Sequence, residues 1–462
     1  SGIEPRAWMA VTVGLHVANG LLVAAIALAS AQPRPDARAV AAAAGGAALF
    51  LFFAPGVEVA AWVSGRFDAV ATLFSLLSVL AFVMSRRRFD FGWWASLAAM
   101  AAACLSKESA AVVPFAIVLY ARFVRTPWDT GTSLVRWSAA LRVAAPWLAL
   151  ALLYLAARWA MFGSATAVYQ NSSPLASILS PAYWQGVADA GPDFLRAQFR
   201  PTRRYPLLVG LTVLQLALVL AAGPADARAR GALHAPALTA LAAVALLLPH
   251  ISQLPPTGLG GRLLYQAAAF YGIFVAVALR HTRLQLPLWG VTGALVLLHA
   301  LFHADAVRRW EIAQSQMRAL VEEIRRVGAS TAPGDFTLVM VPLSMQDVPF
   351  AGNAQMGLMV PPVMPRGTSA RLLVQAYEEI PEIPAKIRDG VIPGLQQFEV
   401  AEYLAGKRAA PGPLVYPSRI VCWDAAKRLL RQLPAPAAPE PEAWARGLRE
   451  AIAASPCAPL RS

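Results

Sequence analysis

Charged side chains interrupt the apolar part of this sequence at three places. The residues concerned are Glu58, Arg66, Asp68, Lys107, Glu108 and Arg262. Ionisable groups beside hydrocarbon are costly, and they are usually paired or functional. Carboxylates can transfer protons and guanidinium or ammonium groups can bind anions, so acid–base and anion-binding chemistry is the first expectation. A snorkelling or salt-bridged structural role is the alternative for each residue taken alone.

A fourth polar segment, residues 162–205, combines arginines with aromatic side chains. Its arginines include Arg196, Arg200, Arg203 and Arg204. Between about 181 and 200 the pattern predicts a helix that lies in a membrane interface. The four arginines together predict an anion-binding surface, with a solvated, interfacially anchored loop as the alternative.

The composition places these residues in a membrane protein. Of the 462 residues, 57% are hydrophobic and 14% are charged, whereas an average soluble domain is about 45–50% apolar and about 25% charged. Residues 1–303 hold 22 Lys or Arg and 10 Asp or Glu, while residues 304–462 hold 18 and 16. This contrast excludes an ordinary soluble enzyme. It predicts a transmembrane domain over 1–303 and a small soluble domain over 304–462.

Ten apolar runs are long enough to be read as membrane-spanning helices. They lie at about 7–30, 39–55, 68–85, 143–161, 206–222, 235–250, 263–279 and 286–303, with two more within 92–124. The run 92–124 is too long for one span, and the polar residues 106–109 interrupt it. We therefore predict two short helices with a polar tip between them.

Basic residues in alternate loops predict the orientation. Thirteen arginines lie in one set of connections: Arg34, Arg38, Arg86, Arg87, Arg88, Arg122, Arg125, Arg136, Arg142, Arg228, Arg230, Arg280 and Arg283. These loops are predicted to be cytoplasmic, which places the charged stretches and residues 304–462 in the periplasm of a bacterial inner membrane. Loop basicity of this kind also argues against nucleic-acid binding. Ten spans with the tail outside lead us to expect one further span before Ser1.

Residues 304–462 are predicted to form a small α/β or α+β domain. Residues 306–328 have the periodicity of an amphipathic helix, Phe336–Val341 reads as a buried strand, and 432–445 has a linker-like Pro/Ala composition. Cys422 and Cys457 would form a disulfide if this domain is exported, and they would stay free if the tail is loose.

Four motifs follow one another along residues 1–303. They are His16-Val-Ala-Asn19, Glu58-x-x-x-Trp62-x-x-Gly65-Arg66-x-Asp68, Leu105-Ser106-Lys107-Glu108 and Arg262-Leu-Leu-Tyr265. Together they resemble an integral-membrane glycosyltransferase family of the GT-C superfamily. That family includes the transmembrane, tetratricopeptide-containing O-mannosyltransferases and bacterial relatives. The chain lacks the tetratricopeptide repeats. We expect the family's first span and first outward loop, with its main catalytic aspartate, to precede Ser1.

The resemblance implies transfer of a sugar from a polyprenyl-phosphate donor to a periplasmic protein, glycan or lipid acceptor. Glu58, Asp68 and Glu108 are then candidate catalytic groups. The candidate substrate-binding residues are Arg66, Lys107, Arg262, Tyr265, Arg200 and Arg203. Preorganised cations would stabilise the departing phosphate, and a divalent metal stays open as a cofactor. His16 and Asn19 are one helical turn apart, and an interhelical hydrogen bond explains both.

Two further functions remain open. A polyprenol-linked glycan flippase or other transporter would place polar residues near the bilayer midplane in repeated halves, and no such halves are visible in the sequence. A catalytically inactive envelope scaffold would use its soluble tail to bind a partner.

Overall fold

The computed structural model describes most of the chain, and its atoms divide into two compact units. The described residues are 5–31, 36–62, 65–124, 137–162, 180–199, 202–224, 227–246, 248, 260–331, 335–345, 348–350, 358, 363, 371–383, 416–437 and 440–457. The first unit is Ser1–Val307 and the second is Arg308–Ser462.

The first unit is built of α-helices. Within the described residues they are α1 Pro5–Ala31, α2 Ala37–Leu51, α3 Val57–Ala61, α4 Arg66–Met84, α5 Phe91–Ser106, α6 Val112–Phe123, α7 Trp137–Phe162, α8 Pro181–Gln198, α9 Tyr205–Ala221, α10 Ala227–Ala245, α11 Tyr265–His281 and α12 Gln285–Ser330. Four short 3₁₀ turns join them at Ala54–Gly56, Glu108–Ala111, Thr202–Arg204 and Gly261–Leu264. The predicted break in 92–124 is confirmed, since Lys107 has an extended backbone (φ −164°, ψ 148°) between α5 and the next turn.

Several of these helices are apolar enough to cross a membrane. Five qualify by length and composition: Met9–Ser30, Arg66–Met84, Trp137–Met161, Gly261–His281 and Gln285–Ser330. A sixth candidate is the pair Ala37–Leu51 and Ala54–Ala61, which is bent by 59°. Helix α5 has 16 residues and α6 has 12, below the about 20 that a span needs. The count of ten spans therefore stays a prediction.

Small residues bring helices of this unit into close contact. A Cβ on Gly46 of α2 would lie 2.2 Å from the carbonyl oxygen of Gly272 in α11, so glycine is required at this crossing. Hydrogen bonds add to this packing, because Ser96 Oγ in α5 donates to Ser78 O in α4 at 2.7 Å. Trp147 Nε1 in α7 donates to the same Ser96 Oγ at 3.0 Å. These contacts fix the helices that carry the charged stretches.

Helix α12 differs from the sequence prediction. We predicted a span at 286–303 and a separate amphipathic helix at 306–328, and the structure has one 46-residue helix. No Gly or Pro lies between residues 294 and 327, so nothing breaks the backbone hydrogen bonding there. The amphipathic part buries Leu320 and Ile324 in the core of the second unit.

The second unit contains a small mixed β-sheet. Its strands are β1 Phe336–Val341, β4 Arg371–Ala376, β5 Arg419–Asp424 and β6 Leu429–Leu433, in the order β4-β1-β5-β6. A separate two-stranded sheet pairs β2 Ser344–Met345 with β3 Val348–Pro349. Strand β1 pairs in parallel with β4 and β5, and all six of its residues are buried. Burial on both faces explains its uninterrupted apolar sequence and confirms the predicted strand.

The end of the chain corrects one prediction. Residues 432–445 do not form a linker throughout, because β6 extends to Leu433 and helix α13 spans Pro441–Ala453. Proline at the first helical position suits a helix start, and Trp444 and Leu448 bury one face of α13 in the sheet core. Cys422 of β5 is bonded to Cys457 beyond α13, so the second of the two alternatives for these cysteines is excluded.

Candidate functional site

The charged stretches meet at one end of the helical unit. This end holds the turn Ala54–Gly56 with α3, the start of α4, the Lys107 break after α5, and the 3₁₀ turn Gly261–Leu264 before α11. The turn Gly261–Leu264 packs against α3 and against the turn Ala54–Gly56. Three segments that are far apart in the sequence therefore surround one region.

Glu58 holds the entrance to α11 in place. Its Oε2 accepts hydrogen bonds from the backbone N–H of Gly260 at 3.0 Å and of Arg262 at 3.1 Å. Its Oε1 lies 3.7 Å from Arg262 Nε. Gly260 has φ 104°, a conformation that favours glycine. Only 4% of Glu58 is exposed, so this placement favours a positioning role over the catalytic role that we predicted.

Arg262 also stacks on an aromatic ring. Its guanidinium carbon lies 4.3 Å from the centroid of the Trp62 ring, which is cation–π geometry. The ring and Glu58 together fix the guanidinium, and its side chain keeps 27% exposure. Arg262 is thus an oriented, partly accessible cation, as a phosphate-binding group must be.

Asp68 and Lys107 form an ion pair between α4 and the break after α5. Lys107 Nζ donates to Asp68 Oδ1 at 2.5 Å, and the two side chains are 18% and 6% exposed. We predicted Lys107 as a substrate-binding residue, and the structure shows that its ammonium group already has a carboxylate partner. Arg66 is half-buried at the first position of α4.

Glu108 is the accessible acid of the site. Its side chain is 50% exposed, and its Oε2 lies 3.9 Å from Nη1 of Arg158 near the end of α7. This contact joins the turn that follows α5 to helix α7. Adjacent residues point in different directions, which frees Glu108 to face the solvent side of the cluster.

Tyr265 belongs to a buried hydrogen-bond network with His16 and Asn19. Its hydroxyl is hydrogen-bonded to His16 Nδ1 at 2.8 Å and accepts from Asn19 Nδ2 at 3.2 Å. Asn19 Nδ2 also donates to Ala69 O at 3.0 Å, which confirms the predicted interhelical hydrogen bond. Tyr265 is 1% exposed, so a positioning role replaces the substrate contact that we predicted for it.

Electrostatic interactions connect these pairs into one cluster. The charge of Asp68 interacts with those of Glu58, Glu108 and Arg262. Asp68 Oδ2 is buried and accepts no hydrogen bond from the residues that the structure describes. A buried carboxylate oxygen without a donor is costly, so this atom is an acceptor available to a donor that enters the site.

The arginine-rich segment is only partly placed. The predicted interfacial helix at 181–200 is a helix, α8, and its last residue Gln198 packs beside the Gly261–Leu264 turn: a Cβ on Gly261 would lie 2.8 Å from Gln198 Oε1. Arg203 is exposed in the turn Thr202–Arg204. Arg200 lies outside the described residues.

The parts of the chain described by the structure contain no group of three or more His, Cys, Asp or Glu side chains that could hold a metal ion. Comparisons with protein-family models, with curated proteins and with solved structures found no match. The function is therefore argued from the site itself.

Two contributors to the site escaped the sequence analysis. Trp62 was noted in a motif, but not as a platform for Arg262. Gly261 directly precedes the Arg262 motif and was given no role, yet it is a point of close contact: a Cβ there would lie 2.7 Å from Pro55 O. The glycine pair before Arg262 was the available signal, because adjacent glycines often mark a close backbone approach.

Proposed function

We propose that this chain transfers a sugar from a polyprenyl-phosphate donor to an acceptor at the outward face of a bacterial inner membrane. The observation that carries the proposal is the convergence of the three charged stretches at one end of the helical unit. The order of the four motifs, which resembles that of GT-C glycosyltransferases, gives the reaction class.

The cations supply what a phosphate leaving group needs. Negative charge grows on the phosphate as the glycosidic bond breaks, and fixed cations stabilise that charge. Lys107 and Arg262 are held in place by Asp68 and Glu58, and Arg66 is the first residue of α4, two residues before Asp68. Ion pairs that fix a cation without burying it fully leave it preorganised for an incoming anion.

Glu108 is the candidate acid–base group. Half of its side chain is exposed, so an acceptor hydroxyl can reach its carboxylate. A positioned carboxylate that removes the hydroxyl proton contributes about 10²–10⁴-fold to the rate. Asp68 and Glu58 act as positioning residues in this assignment.

The second unit supports the outward orientation. The Cys422–Cys457 bond belongs to an oxidising compartment, since disulfides persist in the periplasm and are rare in the cytosol. The arginine-containing connections between α4 and α5 and between α11 and α12 would then face the cytoplasm. We assign the second unit to acceptor recognition, a role that requires no catalytic residues of its own.

The test is sugar transfer in membranes that contain the chain. Polyprenyl-phosphate donors that carry different radiolabelled sugars are supplied, and the released lipid phosphate and the labelled acceptor are measured. We expect Glu108→Gln to lower the initial rate about 100-fold or more, while Glu311→Gln, an exposed acid on α12, keeps the wild-type rate. Donor that crosses the bilayer without release of its sugar would support a transporter and contradict the proposal.

A further inference from the structure

A second feature lies at the opposite end of α4 from Asp68, where an apolar groove runs between α4 and α5. One wall consists of three residues of α4, Phe74, Leu77 and Ala81. The other wall consists of Phe91, Trp94 and three alanines of α5. The groove has a volume of about 570 Å³. All of these lining residues are aliphatic or aromatic, so the groove suits a hydrocarbon chain.

Three arginines lie in the loop at one end of this groove, since that loop leads to Phe91, which lines the groove. Arg86, Arg87 and Arg88 are exposed in the loop that connects α4 with α5. The acid of that loop is already engaged, because Asp90 accepts from Ser85 Oγ at 2.6 Å and from backbone N–H groups. Both carboxylate oxygens of Asp90 are thus occupied by hydrogen bonds within the loop. The three arginines therefore give this end of the groove a positive charge.

Side-chain contacts stabilise this loop. Phe89 has φ 66°, which is uncommon for a residue other than glycine. Its ring packs 4.8 Å from that of Trp93, and the Arg88 guanidinium carbon lies 4.8 Å from the Phe89 ring centroid. An ordered loop presents its guanidinium groups at lower entropic cost than a flexible one.

We propose that this groove and loop form a binding site for an anionic phospholipid. One acyl chain lies along the groove, and the headgroup phosphate binds Arg86, Arg87 and Arg88. Arginine donates to phosphate in bidentate fashion, and basic sites between membrane helices on the cytoplasmic side suit anionic headgroups. Charge complementarity thus selects an anionic lipid over a neutral one. The inference requires membrane insertion of α4 and α5 but not the transfer reaction.

The test uses the full chain reconstituted in bilayers with a photoactivatable acyl group on phosphatidylglycerol or on phosphatidylcholine. Crosslinked peptides are identified by mass spectrometry. We expect phosphatidylglycerol to label residues 74–99 about tenfold more than phosphatidylcholine, since each basic residue near the phosphate favours an anionic lipid several-fold. Equal labelling by both lipids would overturn the proposal.

Two variants separate the headgroup from the chain. Replacing all three loop arginines by Gln should lower phosphatidylglycerol labelling to the phosphatidylcholine level. The matched control replaces Arg38, Arg142 and Arg230 by Gln, which removes the same charge from exposed positions elsewhere and should keep the preference. Loss of the preference in the control would show a general surface attraction and contradict the site.

Ala98→Leu fills the groove from an exposed position on α5 and should reduce labelling by both lipids several-fold, with unchanged thermal stability. Unchanged labelling in this variant would contradict the groove as the chain site. Inorganic phosphate at millimolar concentration should not displace the lipid. Its displacement would mean a site for free phosphate and would also contradict the proposal.

Discussion

The ion pair Lys107–Asp68 of the helical unit and the ion pair Arg325–Glu322 of the second unit are of two different kinds. In the helical unit, Lys107 pairs with Asp68 at a separation of 39 residues, and Arg262 contacts Glu58 across 204 residues. In the second unit, Arg325 pairs with Glu322 three residues away on the same helix, and both side chains are exposed. The first kind of pair joins separate elements, whereas the second stabilises one helical turn.

The difference teaches which charges the fold depends on. Exposed pairs on one helix contribute about 0.3–0.5 kcal/mol, so loss of the Arg325–Glu322 pair should change the free energy of unfolding little. A carboxylate as buried as Asp68, 5% exposed, depends on its partner, because removal of one member leaves an uncompensated charge. Burial of charged groups is costly, so several of them buried close together indicate a functional site.

Removing one partner in each unit tests this contrast. Lys107→Met should lower the free energy of unfolding by about 3–5 kcal/mol, and Glu322→Gln by less than about 0.5 kcal/mol, as measured by thermal unfolding in detergent. The double variant Asp68→Asn/Lys107→Met should recover most of the loss. Equal effects of Lys107→Met and Glu322→Gln would break the comparison.

Reduction of the disulfide tests the stability of the second unit. Cys422 and Cys457 close a loop of 35 residues, and loss of the bond should lower the free energy of unfolding by about 2–4 kcal/mol. Cys457→Ser and treatment with dithiothreitol should give the same fall in the Tm of thermal unfolding. Both should also cause the same loss of hydrogen-exchange protection in α13 and the sheet. Dithiothreitol should have no effect on Cys457→Ser. An unchanged Tm after reduction would contradict the contribution of this bond.

A glycine at the candidate site gives the next effect. Gly261→Ala should cost about 1–3 kcal/mol, because its Cβ would lie 2.7 Å from the backbone oxygen of Pro55. Gly293→Ala in α12 meets nothing within 4 Å and should be neutral or stabilising, since alanine favours a helix. Thermal unfolding of both variants checks this, and a neutral Gly261→Ala would disprove the close packing of this entrance.

The smallest effect concerns a local charge in the helical unit. Hydrogen bonds from Ser85 Oγ and from backbone N–H groups hold the pKa of Asp90 below its usual range. The lowered pKa stabilises the folded state above the ordinary carboxyl pKa, and this contribution is lost as the pH falls through and below about 4. Asp90→Ala should cost about 1 kcal/mol at pH 7 and progressively less below pH about 4. A cost independent of pH would contradict the ionised cap.

The sequence predicts the helices and strands of this fold better than it predicts the contacts between them. Local sequence patterns predicted the break at Lys107 and the strand Phe336–Val341. They also predicted that His16 and Asn19 of α1 form hydrogen bonds with other helices. Residues 432–445 were misjudged because Pro/Ala composition suits both a linker and a helix that starts at proline. Trp444 and Leu448, four residues apart, carried the helical signal.

Ion-pair partners could not be predicted, because they depend on how distant helices pack. Asp68 is two residues from Arg66 in the sequence, yet it pairs with Lys107. Adjacent charges on a helix face different directions, and only the packing of α4 against α5 brings Lys107 to Asp68. The positioning role of Glu58 could not be predicted either, because it depends on how the backbone at Gly260 and Arg262 packs against α3.

The rate of lipid-phosphate release by Arg66 variants tests the central claim that this cluster is a transfer site. We expect Arg66→Ala to be inserted normally and to release polyprenyl phosphate about 10²–10³-fold more slowly than the wild type. Arg66→Lys should recover only part of the rate, since a point charge does not reproduce the guanidinium fork, and the exposed control Arg38→Ala should keep the full rate. Release at the wild-type rate by well-inserted Arg66→Ala would contradict the account.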